Sequence, residues 1–335
     1  MTAHKGIELD LIDIPFNENL EKPKPVKRPY LELILKQIEK QEALLSFSGQ
    51  IEQMNKILEM RYASTDQIAS VLLKDFALTS KLLNLANSSF YGQFNTGYSF
   101  WEKKGISTVS EALIILGTDL IQQTAASLKI FEFMQKMSNN EKLKQKAVFC
   151  FMRSIIARNL AYHQRLENFE EYQVSAMLLD LGEYVTLFFF PEIQKEVDLV
   201  IKNKRIVKEA ASRKILGTSY SKIGRTVAEK WRIPEKIIST IKPVYLFSAP
   251  VKHLTESLYK RYASSFAGEI TDLNWEMSKE DLIYRLTEIV ERYSFVFDLD
   301  LAYVRELFSS SRKEITKHAK LLNIDLKTMY HMFSK

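Results

Sequence analysis

Residues Ser175–Phe190, SAMLLDLGEYVTLFFF, decide the fold that the sequence predicts. The apolar residues of this stretch fall on every side of a helix with about 3.6 residues per turn, and a helix that is apolar all round lies inside a protein. Asp180, with Gly182 close behind it, interrupts the apolar run. An unpaired buried carboxylate would cost several kcal/mol, so we expect Asp180 to have either a partner or a functional role.

The composition favours helices throughout the chain. Among 335 residues, 46% are hydrophobic, and only 10 are glycine and 8 are proline. Windows in which polar and apolar residues alternate are nearly absent, and no Asn-Gly or Asp-Gly turn joins two such windows. The sequence therefore predicts an all-α fold, a multi-helical bundle in two packed helical halves with a C-terminal helical cap.

The single cysteine and the apolar runs bear on the compartment. Cys150 lies in an apolar stretch, so we expect it to be a small core residue of a protein without an internal disulfide. The first 20 residues lack the apolar core of a signal peptide, and the longest apolar runs fall short of the ~18 residues that span a bilayer. These features predict a cytoplasmic protein with no membrane contact.

The chain divides into three segments by composition and periodicity. Residues 1–29 end in a stretch rich in proline and lysine and are predicted to be a flexible arm. Residues 30–245 form the main domain, with one helical half to about residue 137 and a second half from about 147 to 245. Residues 246–335 carry strong helical periodicity and form a C-terminal helical extension.

Several helix ends and one long loop can be placed from sequence signals. Thr108 and Glu111 form a capping box, and Gly117 ends the helix that they begin. A later helix is predicted to begin after Gly217 and to end at Trp231. Residues 91–105 have no helical period and predict a long loop, and long ordered loops are often functional.

Four segments resemble the motifs of a known family, in its order and at its spacing. They read LLKDFALTSKLLNLANSSFYG, STVSEALIILG, AMLLDLG and GTSYSKIGRTVAEKWRIPE. Together they cover roughly residues 40 to 245 and resemble the HDOD domain. The resemblance implies a bacterial all-helical module related to the HD metal-dependent phosphohydrolases, used in signalling and generally without demonstrated catalysis.

The metal ligands of the HD relatives can be compared with this chain position by position. By this resemblance, the His-Asp pair of the central helix corresponds to Leu179 and Asp180. The upstream His corresponds to Arg153, which precedes Ser154, and the downstream position corresponds to Tyr220. One carboxylate does not hold a catalytic metal, which needs about three protein ligands. We therefore expect no metal, no cofactor and no enzymatic activity.

Two arrangements of this vestigial HD site are open from the sequence. In the first, the Arg153 guanidinium stands where the metal would be and pairs directly with Asp180. In the second, Asp180 bonds only to a helix N-terminus or to a hydroxyl group such as that of Ser154 or Tyr220, while Arg153 points to solvent.

The segment from Lys195 to Lys242 is strongly basic, with thirteen Lys and Arg against five Asp and Glu. A solvated face of ordinary helices is the favoured explanation of this excess, and a face that attracts an anionic ligand or an acidic partner is the alternative. The best candidates for such a face are Lys202, Lys204, Arg205, Lys208, Arg213 and Lys214. No aromatic-basic stacking motif is present, so we do not expect nucleic acid as the partner.

Two functions from different classes follow. The first is a non-catalytic signal-transduction module that acts by binding other signalling proteins. The second is a sensor that binds a phosphorylated small molecule or a cyclic dinucleotide in the vestigial HD pocket. A metal-dependent phosphohydrolase is a third alternative, which the missing ligands disfavour.

Overall fold

The computed structural model describes residues 30–40, 68–69, 72–73, 83, 108–118, 121, 125, 128, 130, 132–134, 136, 141–204, 206–231, 233, 235–244, 254–273 and 278–318. Twelve helices have both ends within these residues. They are α1 Tyr30–Lys40, α2 Val109–Leu116, α3 Glu141–His163, α4 Phe169–Leu178, α5 Leu181–Phe189, α6 Pro191–Lys204, α7 Lys208–Leu216, α8 Tyr220–Lys230, α9 Glu235–Ile238, α10 Glu256–Thr271, α11 Lys279–Tyr293 and α12 Leu301–His318.

The fold is all-α, as the composition and periodicity predicted, and the described residues contain no strand. One continuous hydrophobic core contains residues from both predicted halves and from the C-terminal helices, extending from Ile34 in α1 to Ile315 in α12. The prediction that the two halves share a core is confirmed. None of the helices in the described part of the chain is long and apolar enough to cross a membrane.

Among the described helices, α3 is enclosed at least as fully as the stretch from Ser175 to Phe190. Helix α3 packs against α4, α5, α10 and α12. Every residue from Phe151 to Arg158 is buried. The reason is visible in its sequence, AVFCFMRSIIARNLAYH, which is apolar on all sides over most of its length. The fold is organised around α3 together with the helices α4 and α5 that follow it.

The stretch Ser175–Phe190 is two helices, so the prediction of one continuous helix was wrong. Helix α4 ends at Leu178, α5 begins at Leu181, and Asp180 is the N-cap with φ −97° and ψ 15°. Asp is a preferred residue at helix starts, and Glu183 follows at the spacing of a capping signal, but the Asp180 side chain makes no cap hydrogen bond here. The break places the Asp180 carboxylate at the positive end of α5, where a negative charge is favourable.

The other helix ends that could be checked lie where the sequence placed them. Thr108 and Glu111 form a reciprocal capping box, with hydrogen bonds of 3.0 and 3.1 Å, and Gly117 ends α2 with φ 82°. Ser219 caps α8 and Trp231 ends it. The arm, the loop at 91–105 and Arg205 lie outside the described residues.

Helices α5 and α8 cross at unusually short range because each has a glycine at the contact. A Cβ atom on Gly182 would lie 2.9 Å from the Gly224 nitrogen and closer still to the Tyr220 carbonyl oxygen. A Cβ on Gly224 would in turn lie 3.0 Å from the Gly182 nitrogen. Only residues without a side chain allow this approach, which fixes the start of α5 relative to α8.

The C-terminal helices are packed into the main domain rather than laid over it. Helix α10 packs against α3 and α4, and α12 packs against α3. Arg158 of α3 is buried and donates to Glu314 of α12 at 2.7 and 2.9 Å. Glu171 of α4 is buried and accepts a hydrogen bond from Lys260 of α10. These helices thus supply the partners of charges buried in the main domain.

Candidate functional site

Six charged side chains from four parts of the fold meet beside the break between α4 and α5. We call this group the ion cluster. Lys146 and Arg153 come from α3, Asp180 and Glu183 from the start of α5, Lys208 from the first position of α7, and Asp272 from the residue after α10. The cluster contains three cations and three carboxylates, so its formal charge is zero.

The centre of the ion cluster is a direct pair between Arg153 and Asp180. The Arg153 Nη1 atom donates to the Asp180 Oδ2 atom at 2.6 Å, and the two side chains are 3% and 16% exposed. The direct pair of Arg153 with Asp180, which the first of the two arrangements predicted, is therefore confirmed, and its correspondence to a metal position stays a prediction. The hydroxyl of Ser154 does not serve Asp180, because it donates to the Phe151 carbonyl oxygen at 2.7 Å.

The other two vestigial positions hold no cation ligand. Leu179 is half-buried at the end of α4 and offers only a hydrocarbon side chain. The Tyr220 hydroxyl is directed to α6, where it donates to the Gln194 Oε1 atom at 2.9 Å. Chiefly because of burial, the pKa of Tyr220 is raised, so the phenol stays neutral. Among the described residues, no hydrogen bond joins Tyr220 to Asp180.

Lys146 lies two helical turns before Arg153 on the same side of α3. Its Nζ atom is 2.7 Å from the Glu183 Oε1 atom and 3.8 Å from the Asp180 Oδ2 atom. Lys146 therefore bridges the two carboxylates at the start of α5. All three side chains are less than a fifth exposed, with values of 17% for Lys146, 16% for Asp180 and 13% for Glu183.

The solvent side of the ion cluster is formed by Lys208 and Asp272. Their side chains are 45% and 48% exposed, and their nearest charged atoms are 3.6 Å apart. Lys208 Nζ also lies 3.4 Å from Glu183 Oε2, and Arg153 Nη2 lies 3.6 Å from Asp272 Oδ1. Lys208 thus belongs to the ion cluster, although the sequence grouped it with the basic face. Asp272 lies beyond the main domain that the sequence delimited.

Mutual attraction within the ion cluster favours the charged forms of Asp180, Arg153, Lys146 and Lys208. Burial alone would raise the pKa of Asp180, but Arg153, Lys208 and Lys146 outweigh burial and hold that pKa well below its usual range. Burial would likewise lower the pKa of Arg153, and Asp180 and Asp272 reverse that effect and raise it. The pKa of Lys146 is raised by Glu183 and Asp180 against burial. The pKa of Lys208 is raised, with Glu183 as the largest cause.

The residues present do not suit a divalent metal. A metal ligand must offer a lone pair that no other cation uses, and the Asp180 carboxylate already contacts the Arg153 guanidinium. Leu179 offers none, and the Tyr220 hydroxyl is directed to Gln194 on α6, to which it donates, and not to Asp180. Within the described residues, no group of three or more His, Cys, Asp and Glu side chains is arranged to hold a metal ion.

The remaining basic candidates lie on α6 and α7. Lys202 and Lys204 are exposed in the last turn of α6, and Arg213 and Lys214 are exposed in the last turn of α7. These two helices pack against each other. The structure therefore separates the six candidates into Lys208, which is paired with carboxylates, four exposed side chains, and Arg205, of which nothing is described.

Sequence reasoning missed half of the ion cluster. Glu183 could have been found, because it follows Asp180 at the spacing of a helix start. Lys146 could have been found as well, because seven residues separate it from Arg153 and place both on one side of a helix. No local signal identifies Asp272, since its place in the cluster depends on the packing of α10 against α3.

The geometry is that of an all-α domain with a largely buried ion cluster beside the break between α4 and α5. The family model that matches this chain is the HDOD domain, over residues 44–245. That match covers more than half of the sequence, and the chain belongs to the HDOD domain family. The family is related to the HD phosphohydrolases, and the resemblance found from the four motifs is confirmed.

Two solved structures share the fold. An HDOD domain protein with unknown function from Geobacter sulfurreducens has a TM-score of 0.56 at 21% identity, covering 87% of this chain and 97% of its own. A candidate phosphohydrolase from Shewanella amazonensis SB2B has a TM-score of 0.57 at 15% identity, with the same coverage. At such identities the likeness concerns the fold alone.

A curated relative from Treponema pallidum, described only as an uncharacterized protein, is 24% identical over 222 residues. The match takes in 64% of this chain and 40% of the relative. The chain thus corresponds to less than half of the length of that protein.

Proposed function

We propose that this chain is a non-catalytic module of bacterial signal transduction that acts by binding other proteins. The observation that carries the proposal is the 2.6 Å contact between Arg153 Nη1 and Asp180 Oδ2. This contact pairs Asp180, the one carboxylate that remains of the HD ligand set, with a cation of the protein itself. Arg remains charged even when buried, so the contact persists across the physiological pH range.

The loss of a metal removes the chemistry of the HD relatives. In metal-dependent hydrolysis the ion activates water and stabilises the developing charge, and it needs an open coordination position for both. A guanidinium stabilises charge, but it does not generate a hydroxide nucleophile. A domain that keeps the fold without the metal still offers a rigid helical surface, and we propose that recognition of partner proteins is what this surface serves.

The end of α6 and the segment after it provide the best face for an acidic partner. Leu199 is 57% exposed and Val207 is 47% exposed, and both lie within a few residues of the exposed Lys202 and Lys204. Apolar side chains next to unshielded lysines suit a partner surface with a hydrophobic centre and acidic surroundings.

Catalysis is tested by assaying hydrolysis of nucleoside monophosphates and cyclic dinucleotides with added manganese, magnesium, iron or zinc. A catalytic HD phosphodiesterase in the same assay shows that the conditions support turnover. We expect rates at background. Metal-dependent turnover that disappears in the Asp180→Ala variant would overturn the proposal, because Asp180 would then be a working ligand.

Partner binding is tested by affinity capture with the wild-type chain and with the double variant Lys202→Glu, Lys204→Glu. The matched charge control reverses two exposed charges on α12, with Arg305→Glu and Lys313→Glu in one chain. A specific partner should be retained by the control and lost by the double variant, and its binding should weaken as salt shortens the screening length from ~10 Å at 0.1 M to ~3 Å at 1 M. A partner that both variants retain equally does not use this face.

The apolar pocket formed by described residues is not suited to the phosphorylated ligand of the sensor alternative, which was predicted for the vestigial HD site instead. Ile38, Phe133, Tyr184, Val185, Phe188, Phe189 and Trp231 line the pocket. These side chains offer no charge to a phosphorylated ligand, and five of them are aromatic.

A further inference from the structure

Asp272 makes only long contacts with the cations of the ion cluster. Its Oδ1 atom lies 3.6 Å from Arg153 Nη2 and its Oδ2 atom lies 3.6 Å from Lys208 Nζ. Neither separation is short enough for a hydrogen bond. Each carboxylate oxygen of Asp272 thus has a different cation nearest to it, and neither oxygen reaches its cation closely. By contrast, the Asp180 and Glu183 carboxylates contact Arg153 and Lys146 at 2.6 and 2.7 Å.

Arg153 also has donor capacity that the described residues do not use. Its guanidinium has five N–H donors, and its hydrogen bond within the described part of the chain is that from Nη1 to Asp180. The Nε atom is buried and has no hydrogen-bond partner there. Gly268 faces this side of the guanidinium, where a Cβ atom would lie 3.1 Å from Nε and 3.6 Å from Nη2.

Asp272 can leave the cluster without any change in the helices. Its side chain is 48% exposed and belongs to the residue that follows the last turn of α10, so rotation about its own bonds is enough to bring it into solvent. The remaining five groups then carry a net charge of +1. The vacated position lies between a buried guanidinium and a half-exposed ammonium, which together attract an anion.

We propose that Arg153 and Lys208 form a binding site for a phosphoryl group and that Asp272 occupies this site as an internal competitor. A phosphoryl group carries about −1.5 to −2 charges at neutral pH and three strong acceptor oxygens, so it can span two cations that one carboxylate bridges only loosely. The ligand class is a phosphate monoester or inorganic phosphate. This inference goes beyond the proposed function, because a module that binds only proteins needs no such site, and it gives the sensor alternative a specific pair of cations and an internal competitor.

The experiment compares phosphate binding by the wild-type chain and by the variant Asp272→Asn. Isothermal titration with inorganic phosphate and with guanosine monophosphate is performed at constant ionic strength, balanced with sodium chloride. The variant Asp198→Asn is the matched control, because it also removes one partly exposed, lysine-paired carboxylate, 41% exposed and 2.9 Å from Lys142. Adding Lys208→Met to Asp272→Asn tests whether the gained binding uses the proposed site.

Removing the competitor should tighten phosphate binding at least tenfold relative to both the wild type and Asp198→Asn, which corresponds to about 1.4 kcal/mol. Lys208→Met should abolish the gain. Equal affinity for phosphate and guanosine monophosphate would mean that the site recognises the phosphoryl group alone. Tighter binding of guanosine monophosphate would mean that the protein also contacts its nucleoside. If Asp272→Asn binds phosphate no better than Asp198→Asn, or if Lys208→Met leaves a gain intact, the site does not exist.

The same titrations separate this inference from the proposed function. Ligand binding without hydrolysis supports the site and leaves the non-catalytic proposal intact. Release of phosphate from guanosine monophosphate would overturn that proposal while leaving the phosphoryl site standing.

Discussion

Replacing Arg153 with Met should cost more stability than replacing Arg153 and Asp180 together. The single change strands a carboxylate that is 16% exposed and that lies against the buried side chains of α3. Breaking a buried ion pair from one side typically costs about 3 to 5 kcal/mol, because an uncompensated charge remains. Lys146, 3.8 Å from Asp180 Oδ2, offsets part of the loss but is itself engaged by Glu183 at 2.7 Å. We therefore expect a cost near the lower end, about 3 kcal/mol.

The double variant Arg153→Met, Asp180→Leu removes both charges and restores apolar contacts at the same place. Replacing a buried pair with hydrophobic residues is often neutral, so the double variant should be more stable than Arg153→Met by about 2 kcal/mol. The measurement is urea unfolding followed by circular dichroism, with the free energy of unfolding extrapolated to water. The single variant Asp180→Leu completes the cycle.

A surface pair provides the control for this cycle. Lys195 and Glu192 are 64% and 78% exposed and lie 2.9 Å apart, so Lys195→Met should change the free energy of unfolding by less than about 1 kcal/mol. A double variant that is as unstable as Arg153→Met, or less stable, would refute the argument. The Arg153 side chain would then contribute through packing and not through its charge on Asp180.

Four further outcomes follow from the structure. Gly182→Ala should destabilise the chain by about 3 kcal/mol in urea unfolding, because its Cβ would overlap the Tyr220 carbonyl oxygen. Because the pKa of Asp180 is lowered in the folded state, its ionised form contributes stability above about pH 4. This contribution is lost as the pH falls through the folded-state pKa. Asp180→Asn should therefore make the free energy of unfolding less dependent on pH in the acid range. Burial raises the pKa of Cys150 to about 11, so a thiol reagent at pH 8 should label it only after unfolding. A chain ending at residue 245 should be insoluble or lack a cooperative thermal transition.

Each of these outcomes has a result that contradicts it. A wild-type free energy of unfolding in Gly182→Ala would mean that α5 and α8 can separate without cost. An acid limb that is unchanged in Asp180→Asn would assign the acid sensitivity to other carboxylates. Rapid labelling of native Cys150 would show that α3 opens locally, and sharp cooperative unfolding of the truncated chain would show that the C-terminal helices are dispensable.

The fold could be predicted because its evidence is local and repeated. Capping pairs such as Thr108 with Glu111 and end signals such as Gly117 act within one helix, and the structure has them where the sequence placed them. The direct contact of Arg153 with Asp180 was one of two arrangements left open, because a buried carboxylate requires a partner and the family resemblance placed Arg153 among the candidates. The division of Ser175–Phe190 into two helices was missed because apolar periodicity does not register a break of two residues within a buried run.

The solvent side of the ion cluster could not be predicted from sequence. Asp272 lies 92 positions after Asp180 and 119 after Arg153, and no periodicity connects residues at such separations. Its position depends on how α10 packs against α3 and α4, and that packing depends in turn on Gly268, which lets α10 approach the Arg153 guanidinium. Tertiary geometry of this kind leaves no mark within a window of ten or twenty residues.

The family match ends at residue 245, but the described structure continues the same unit beyond it. Three buried charges of the main domain have an opposite charge from the C-terminal segment beside them, loosely at Arg153 with Asp272 and closely at Glu171 with Lys260 and at Arg158 with Glu314. Removing one partner of a buried ion pair destabilises a protein strongly, even where the intact pair adds little stability. The main domain therefore depends on the C-terminal segment for charge pairing as well as for apolar contacts. At Arg153 the C-terminal segment contributes a residue, Asp272, to the ion cluster itself. Asp272, which the C-terminal segment contributes, is the most exposed and the most loosely held of the three carboxylates in the ion cluster. It is therefore the carboxylate that an external anion can displace at least cost.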